Sequence, residues 1–109
     1  MPTPEGKIED YLLEKCKDNN ILCWKFTSPS QNGVPDRILL YKGYTIFVEL
    51  KAPGEEPRKD QVAVHNIMRN HGAEVYTADS EHLCDMIITN LLKRKKRKSY
   101  SINLDTTLI

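Results

Sequence analysis

Long hydrophobic runs are missing from this chain of 109 residues. Nothing approaches the ~20 consecutive apolar residues a membrane helix needs, and no apolar segment of the signal-peptide kind follows Met1. Cysteine is scarce as well. Cys16, Cys23 and Cys84 form an odd set without a C-x-x-C spacing, which argues against a zinc site or a disulfide framework. Reduced thiols in a cytoplasmic setting are the simple expectation. Internal repeats are absent, and the one low-complexity tract is Lys93–Lys98.

What is present fits a single domain. Hydrophobic residues make up 39% and charged residues 28% of the chain, an ordinary balance for a soluble globular protein with one core. We expect residues 1–98 to form that domain and residues 99–109 to be a tail. The formal net charge of +1 hides an asymmetry: with KRKKRK at 93–98 set aside, the other 103 residues carry 10 basic and 15 acidic side chains, a formal −5. An acidic body does not bind polyanions non-specifically, so any phosphate contacts fall to the basic run or to a face built by dimerisation.

The pattern along the chain is helix, three strands, helix, strand, helix. Thr3-Pro4-Glu5 reads as a helix start, with Thr3 as N-cap and Pro4 at the first helical position. Ile8, Leu12, Leu13 and Cys16 form the apolar stripe of that helix, which should stop at Asn19-Asn20. Ile21–Phe26 is a short strand, with Cys23, Trp24 and Phe26 expected in the core. Pro35 marks the entrance to a strand over Arg37–Tyr41, and Lys42-Gly43 turns it back into Tyr44–Lys51. Two prolines and a glycine make Ala52–Pro57 an exposed loop. A helix over Arg58–His71 follows, with Val64, Ile67 and Met68 as its core stripe and Gly72 as its stop. Glu74–Thr77 is a strand. Asp79 or Ser80 caps a last helix carrying Leu83, Met86, Ile87, Asn90 and Leu91, which runs on into the basic tract. The tight links make the first strands an antiparallel meander, and the second helix is a crossover. An α/β fold with a mixed sheet of about four strands and helices on both faces is expected.

The chemistry gathers in Gly33–Lys51. Asp36 heads one apolar run, and Glu49 and Lys51 end the next. Side chains alternate along a strand, so Glu49 and Lys51 share a face while Leu50 takes the other. Two acids and a lysine at neighbouring strand ends suit phosphodiester hydrolysis, which needs charge neutralised on the phosphate and an activated water. Mg²⁺ or Mn²⁺ supplies both, held by carboxylates, backbone carbonyls and waters. Asp36, Glu49 and the Leu50 carbonyl are the candidate ligands. Glu9, which projects along the buried stripe of the first helix, is a candidate to complete the shell, with Glu5 one turn earlier on a similar heading. Gln61, at the start of the second helix, is placed to position Lys51 or water. The bland alternative is a cross-strand ion pair.

Gly33-Val34-Pro35-Asp36, then Phe47-Val48-Glu49-Leu50-Lys51-Ala52-Pro53-Gly54, then Pro57 and Gln61, resembles the VRR-NUC branch of the PD-(D/E)XK nucleases, and within it the small stand-alone phage type. The resemblance spans about residues 5 to 80 and includes Lys25–Pro29. It implies a restriction-endonuclease-like core. It also implies that Asp36 and Glu49 bind metal, that Lys51 is the catalytic lysine, that Gln61 is the family glutamine, and that Glu9 is the helix-one acid, with Glu5 competing. Its stand-alone members act as homodimers on four-way junctions, so the resemblance implies a structure-selective, metal-dependent DNA endonuclease in a bacterial host cell. A flap, 5′-end or nicking nuclease and a catalytically silent junction-binding module are the alternatives. No membrane or small-molecule cofactor is expected.

The remaining candidates are cations and histidines. Arg37 either touches phosphate or pairs with Glu49 or Glu74. Arg58 and Lys59 follow the exposed loop and are candidate phosphate contacts. Lys93, Arg94, Lys95, Lys96, Arg97 and Lys98 are a candidate DNA-binding arm. His65, His71 and His82 make no ligand pair by spacing, and surface or packing roles are expected for them.

Overall fold

The computed structural model describes residues 2–98. The element order is α1 (Pro4–Asp18), β1 (Leu22–Lys25), β2 (Arg37–Tyr41), β3 (Tyr44–Leu50), α2 (Lys59–Asn70), β4 (Glu74–Ala78) and α3 (Glu81–Leu92). The strands form one sheet in the order β1-β2-β3-β4. The first three are antiparallel neighbours, and β4 runs parallel to β3 after the α2 crossover. The expected mixed four-stranded sheet and α-β-β-β-α-β-α order are what the chain adopts.

Local chemistry explains the boundaries. The Thr3 hydroxyl accepts the Gly6 amide at 2.9 Å, and Pro4 opens α1. At the β2–β3 turn Tyr41 faces Tyr44, and both turn residues take positive φ, Lys42 at 48° and Gly43 at 87°. That is the two-residue geometry whose twist matches the strands it joins. Gly72, at φ 93°, lets the chain leave α2. The Ser80 side chain accepts the Leu83 amide and starts α3.

The core lies between one sheet face and the pair α1 and α3. Ile8, Leu12 and Cys16 from α1 meet Leu39, Ile46, Val48 and Leu50 from the sheet and Cys84, Ile87, Ile88 and Leu91 from α3. Residues of opposite parity, Glu49 among them, point to the other face, where α2 packs beside β4. No described helix is long and apolar enough to cross a membrane.

Several expected core positions are solvent-facing instead. Ile67 is 58% exposed, because α2 turns the stripe Gln61, Val64, His65 and Met68 inward at i, i+3, i+4 and i+7. Met86 is 54% exposed, since α3 buries Cys84, Ile87, Ile88 and Leu91. Trp24 is 59% exposed on the edge strand, and Phe26 is half-buried with its ring 5.3 Å from that of Phe47. The last helix does not run on through the basic tract. It ends at Leu92 with Lys93 as its C-cap. The expected tail, residues 99–109, lies outside the described residues.

Candidate active site

The β2–β3 register puts the acids side by side. Arg37 pairs with Val48, so Asp36 and Glu49 occupy the next rung outward. The Asp36 Oδ2 accepts the Leu50 amide at 2.8 Å, and the Asp36 carbonyl accepts the Phe26 amide. The Val34-Pro35-Asp36 segment is thereby fixed against two strands. Lys51 continues β3 beyond its last strand residue, its amide bonded to the Ala78 carbonyl at 3.0 Å, which carries its side chain back to the face of Glu49.

Glu49 is 1% exposed and is gripped on one oxygen. Its Oε2 takes Lys51 Nζ at 3.2 Å and Gln61 Nε2 at 3.0 Å. Gln61 is held in turn by its Oε1, which accepts the Arg58 amide at 2.9 Å. The glutamine thus caps α2 with one end and orients the acid with the other. The second oxygen, Oε1, is buried without a hydrogen-bond partner and lies 3.8 Å from His65 Nε2, which also has none. Burial, and then the Asp36 charge, raise the Glu49 pKa to about 7 against the pull of Lys51. A buried carboxylate with one oxygen unpaired is costly unless something compensates it.

Of the surface and packing roles expected for His65, packing is the one it takes. It is 1% exposed, and burial, followed by the nearby Arg69 charge, depresses its pKa against the opposing pull of the Gly33 backbone. From α2 it thus faces the loop that leads to Asp36. A signal was available, because His65 lies four residues after Gln61 and must share its face. His71 and His82 are exposed, as expected.

The two helix-one acids separate. Glu9 bonds Arg37 Nε at 3.0 Å, so Arg37 pairs with Glu9 rather than with Glu49 or Glu74. Glu5, one turn nearer the helix start, is exposed, and its charge bears on Glu49 less than those of Asp36 and Lys51 do. The sequence could not divide these roles, since both acids lie on the same side of α1 and only the strand register shows which one meets Arg37.

The donor set suits a hard cation. Among the described residues, no three His, Cys, Asp or Glu side chains gather closely enough to make a metal cage. Mg²⁺ needs no such cage, because it keeps several waters and is bound through one or two carboxylates. Asp36, Glu49 with its unpaired Oε1, and the Leu50 carbonyl are of that kind. Arg58 and Lys59 are exposed at the start of α2, and Arg58 shares its charge with Asp60 at 3.2 Å.

No family model matches the chain. Putative nuclease p44 of Acyrthosiphon pisum secondary endosymbiont phage 1 is 38% identical over 84 residues, covering 76% of this chain and 90% of that protein. A solved structure of a VRR_NUC domain superposes with a TM-score of 0.74 at 29% identity, covering 80% of this chain and 96% of its own. The chain belongs to the VRR-NUC family. Within that fold, Glu49, Lys51 and Gln61 form one connected polar cluster in this VRR-NUC chain, with Asp36 bonded to the adjoining Leu50 amide and His65 beside Glu49. The six cations at 93–98 are not part of the cluster. They lie by the β2–β3 turn, at the other end of the strands.

Proposed function

We propose that this VRR-NUC nuclease is a divalent-metal-dependent endonuclease that hydrolyses phosphodiesters in branched DNA, acting as a dimeric four-way junction resolvase. The observation that carries the reading is the Asp36 carboxyl bonded to the Leu50 amide at 2.8 Å, next in sequence to the buried Glu49, with Lys51 Nζ 3.2 Å from Glu49. Asp36, Glu49 and the Leu50 carbonyl would hold Mg²⁺ or Mn²⁺. Such an ion supplies neutralisation of phosphate charge and acidification of a bound water. Lys51 offers the scissile phosphate, or the attacking water, a donor already fixed by its ion pair. Gln61 keeps Glu49 turned toward Lys51. Glu5 adds negative charge at the same strand ends, and Glu9 holds Arg37 in place. The exposed Arg58 and Lys59 would meet the DNA backbone.

Two physical points favour branched DNA and a dimer. No described element offers a recognition helix with base-reading side chains, so structure is the better-supported cue than sequence. Resolving a junction takes two symmetric nicks, which a two-fold dimer supplies. The edge strand β1 exposes Trp24 on the sheet face opposite the core, an apolar surface that a second copy would cover. A phage protein of this kind would act in the cytoplasm of a bacterial host.

The test is a panel of labelled four-way junction, flap, splayed arm, plain duplex and single strand, each with Mg²⁺. Paired symmetric nicks on the junction support a resolvase. Preferential cutting of the flap or splayed arm would replace it with a flap or 5′-end nuclease. Retention of an uncut junction would leave a binding module.

A further inference from the structure

The basic tract is not a free arm. After α3 the chain turns onto the β2–β3 hairpin, and the Arg97 amide bonds the Lys42 carbonyl at 2.8 Å. The Tyr44 hydroxyl donates to the Lys95 carbonyl at 2.8 Å. The Tyr44 ring carries two guanidinium groups, Arg94 at 5.0 Å and Arg97 at 4.6 Å from its centroid. Arg94 also makes a two-pronged contact with Glu74, at 2.8 and 2.6 Å, and that pairing holds the Glu74 carboxyl below its usual range. Gly43 makes the seat possible. A Cβ there would lie 2.6 Å from the Arg97 Cβ, and the residue's φ of 87° independently favours glycine.

These contacts divide the six cations. Arg94 is committed to Glu74 and Tyr44, and serves as the rivet. Lys93, Lys95, Lys96, Arg97 and Lys98 remain exposed, held over the hairpin rather than swinging on a flexible arm. Beside them runs a groove of about 760 Å³ between the end of α1 and the same hairpin, with Lys17, Asn19, Asn20, Tyr41, Lys42 and Thr45 on its wall. Asn19 already occupies an α1 carbonyl that would repel an anion, donating to Lys15 O from both its backbone and its side chain. The groove therefore presents Lys17, Lys42 and the Asn20 amide beside an apolar strip of Ile21, Leu22 and Leu40.

Position gives this surface its meaning. Asp36 and Lys42 flank the two ends of one strand, so the cationic surface stands about 20 Å from the catalytic carboxylates. That is on the order of six base-pair rises along a duplex, by the charge spacing of the helix. We propose that the hairpin groove and the riveted basic segment form a second, preformed DNA-backbone site, engaging a duplex arm other than the phosphate being cut. The proposal rests on the DNA-nuclease reading and adds to it. The acidic body leaves few other places for a polyanion, and a fixed cationic patch costs less ordering than a flexible one when it binds.

The test measures binding rather than cleavage, so its outcome is separable from that of the catalytic reading. The full chain is titrated against uncut four-way junction in EDTA across a salt series. The lysines are removed as Lys42→Gln, Lys96→Gln and Lys98→Gln together, with circular dichroism to confirm folding. At low salt the affinity should fall at least roughly tenfold, and the log–log salt slope should drop by about 0.9 for each phosphate that is no longer neutralised. A second variant, Tyr44→Ala, keeps every cation and removes the ring that seats them; it should weaken binding several-fold with little change in slope. An unchanged slope in the lysine variant would overturn the site. A weaker lysine variant beside a Tyr44→Ala protein that binds as the wild type does would overturn its preformed character. Absence of Mg²⁺-dependent cutting alone, with these binding shifts intact, would count against the nuclease reading and leave the DNA site standing.

Discussion

Glu49 Oε1 and His65 Nε2 face each other at 3.8 Å, both buried and neither hydrogen-bonded. Burial holds the ring toward its uncharged form, so no charge on the imidazole compensates the unpaired oxygen. Such a pair is tolerated only where something else fixes both groups. Here Lys51 and Gln61 fix the acid, and burial fixes the ring. The unpaired oxygen is therefore left without a protein donor.

His65→Ala should be severely destabilising. It would empty a site that is 1% exposed, at a cost of about 2–4 kcal/mol, as for other large core truncations. A surface histidine would cost less than about 0.5 kcal/mol. Urea unfolding of the wild type and the variant decides between them.

The Glu49 carboxyl gives the metal-free protein a distinctive pH dependence. Its pKa is raised to about 7 from the ordinary value of 4.5, so between those values the native state binds more protons at this site than the unfolded chain does. The contribution of this site to stability therefore falls as pH rises from about 4.5 to about 7. Glu49→Gln should remove that decline. Thermal unfolding in EDTA at a series of pH values is the check.

Glu5 and Glu9 should behave differently. Glu5 acts on Glu49 through its charge, whereas Glu9 is occupied by Arg37. Glu5→Gln should reduce cleavage by about tenfold, at the lower end of what outer-shell partners of a metal site contribute. Glu9→Gln should act mainly on stability, through the half-buried Arg37. Parallel cleavage and unfolding measurements on the two variants separate the roles.

How much of this was legible in the sequence depends on the range of the interaction. The Thr3 cap, the Lys42-Gly43 turn and the Asp36, Glu49 and Lys51 alignment follow from local geometry and strand parity, and the sheet honours them. The α2 stripe was misjudged because apolar character alone favoured Ile67, while the helix turns inward the polar pair Gln61 and His65 that meets Glu49. No local pattern marks the seating of Arg94 and Arg97 on Tyr44, since those contacts span some fifty residues. The partner of Arg37 was unreadable for the same reason.

Trp24→Glu should yield a monomer. The exposed Trp24 on β1 is the apolar surface that the proposed dimer would cover, and a carboxylate there would have to be buried unpaired. Analytical ultracentrifugation should show one species at half the mass, and junction cutting should change from paired to single nicks. A wild-type protein that already sediments as a monomer would remove the dimer.

The metal-dependent nuclease is tested most directly by cleavage of a four-way junction with the wild type and with Lys51→Ala, each in Mg²⁺, in Mn²⁺ and in EDTA, at matched thermal stability. The wild type should cut with either metal and not in EDTA. The variant should be slower by at least about a hundredfold, as for removal of a donor that stabilises developing charge. Cutting that persists in EDTA, or that Lys51→Ala leaves intact, would contradict a metal-dependent site built on Asp36, Glu49 and Lys51.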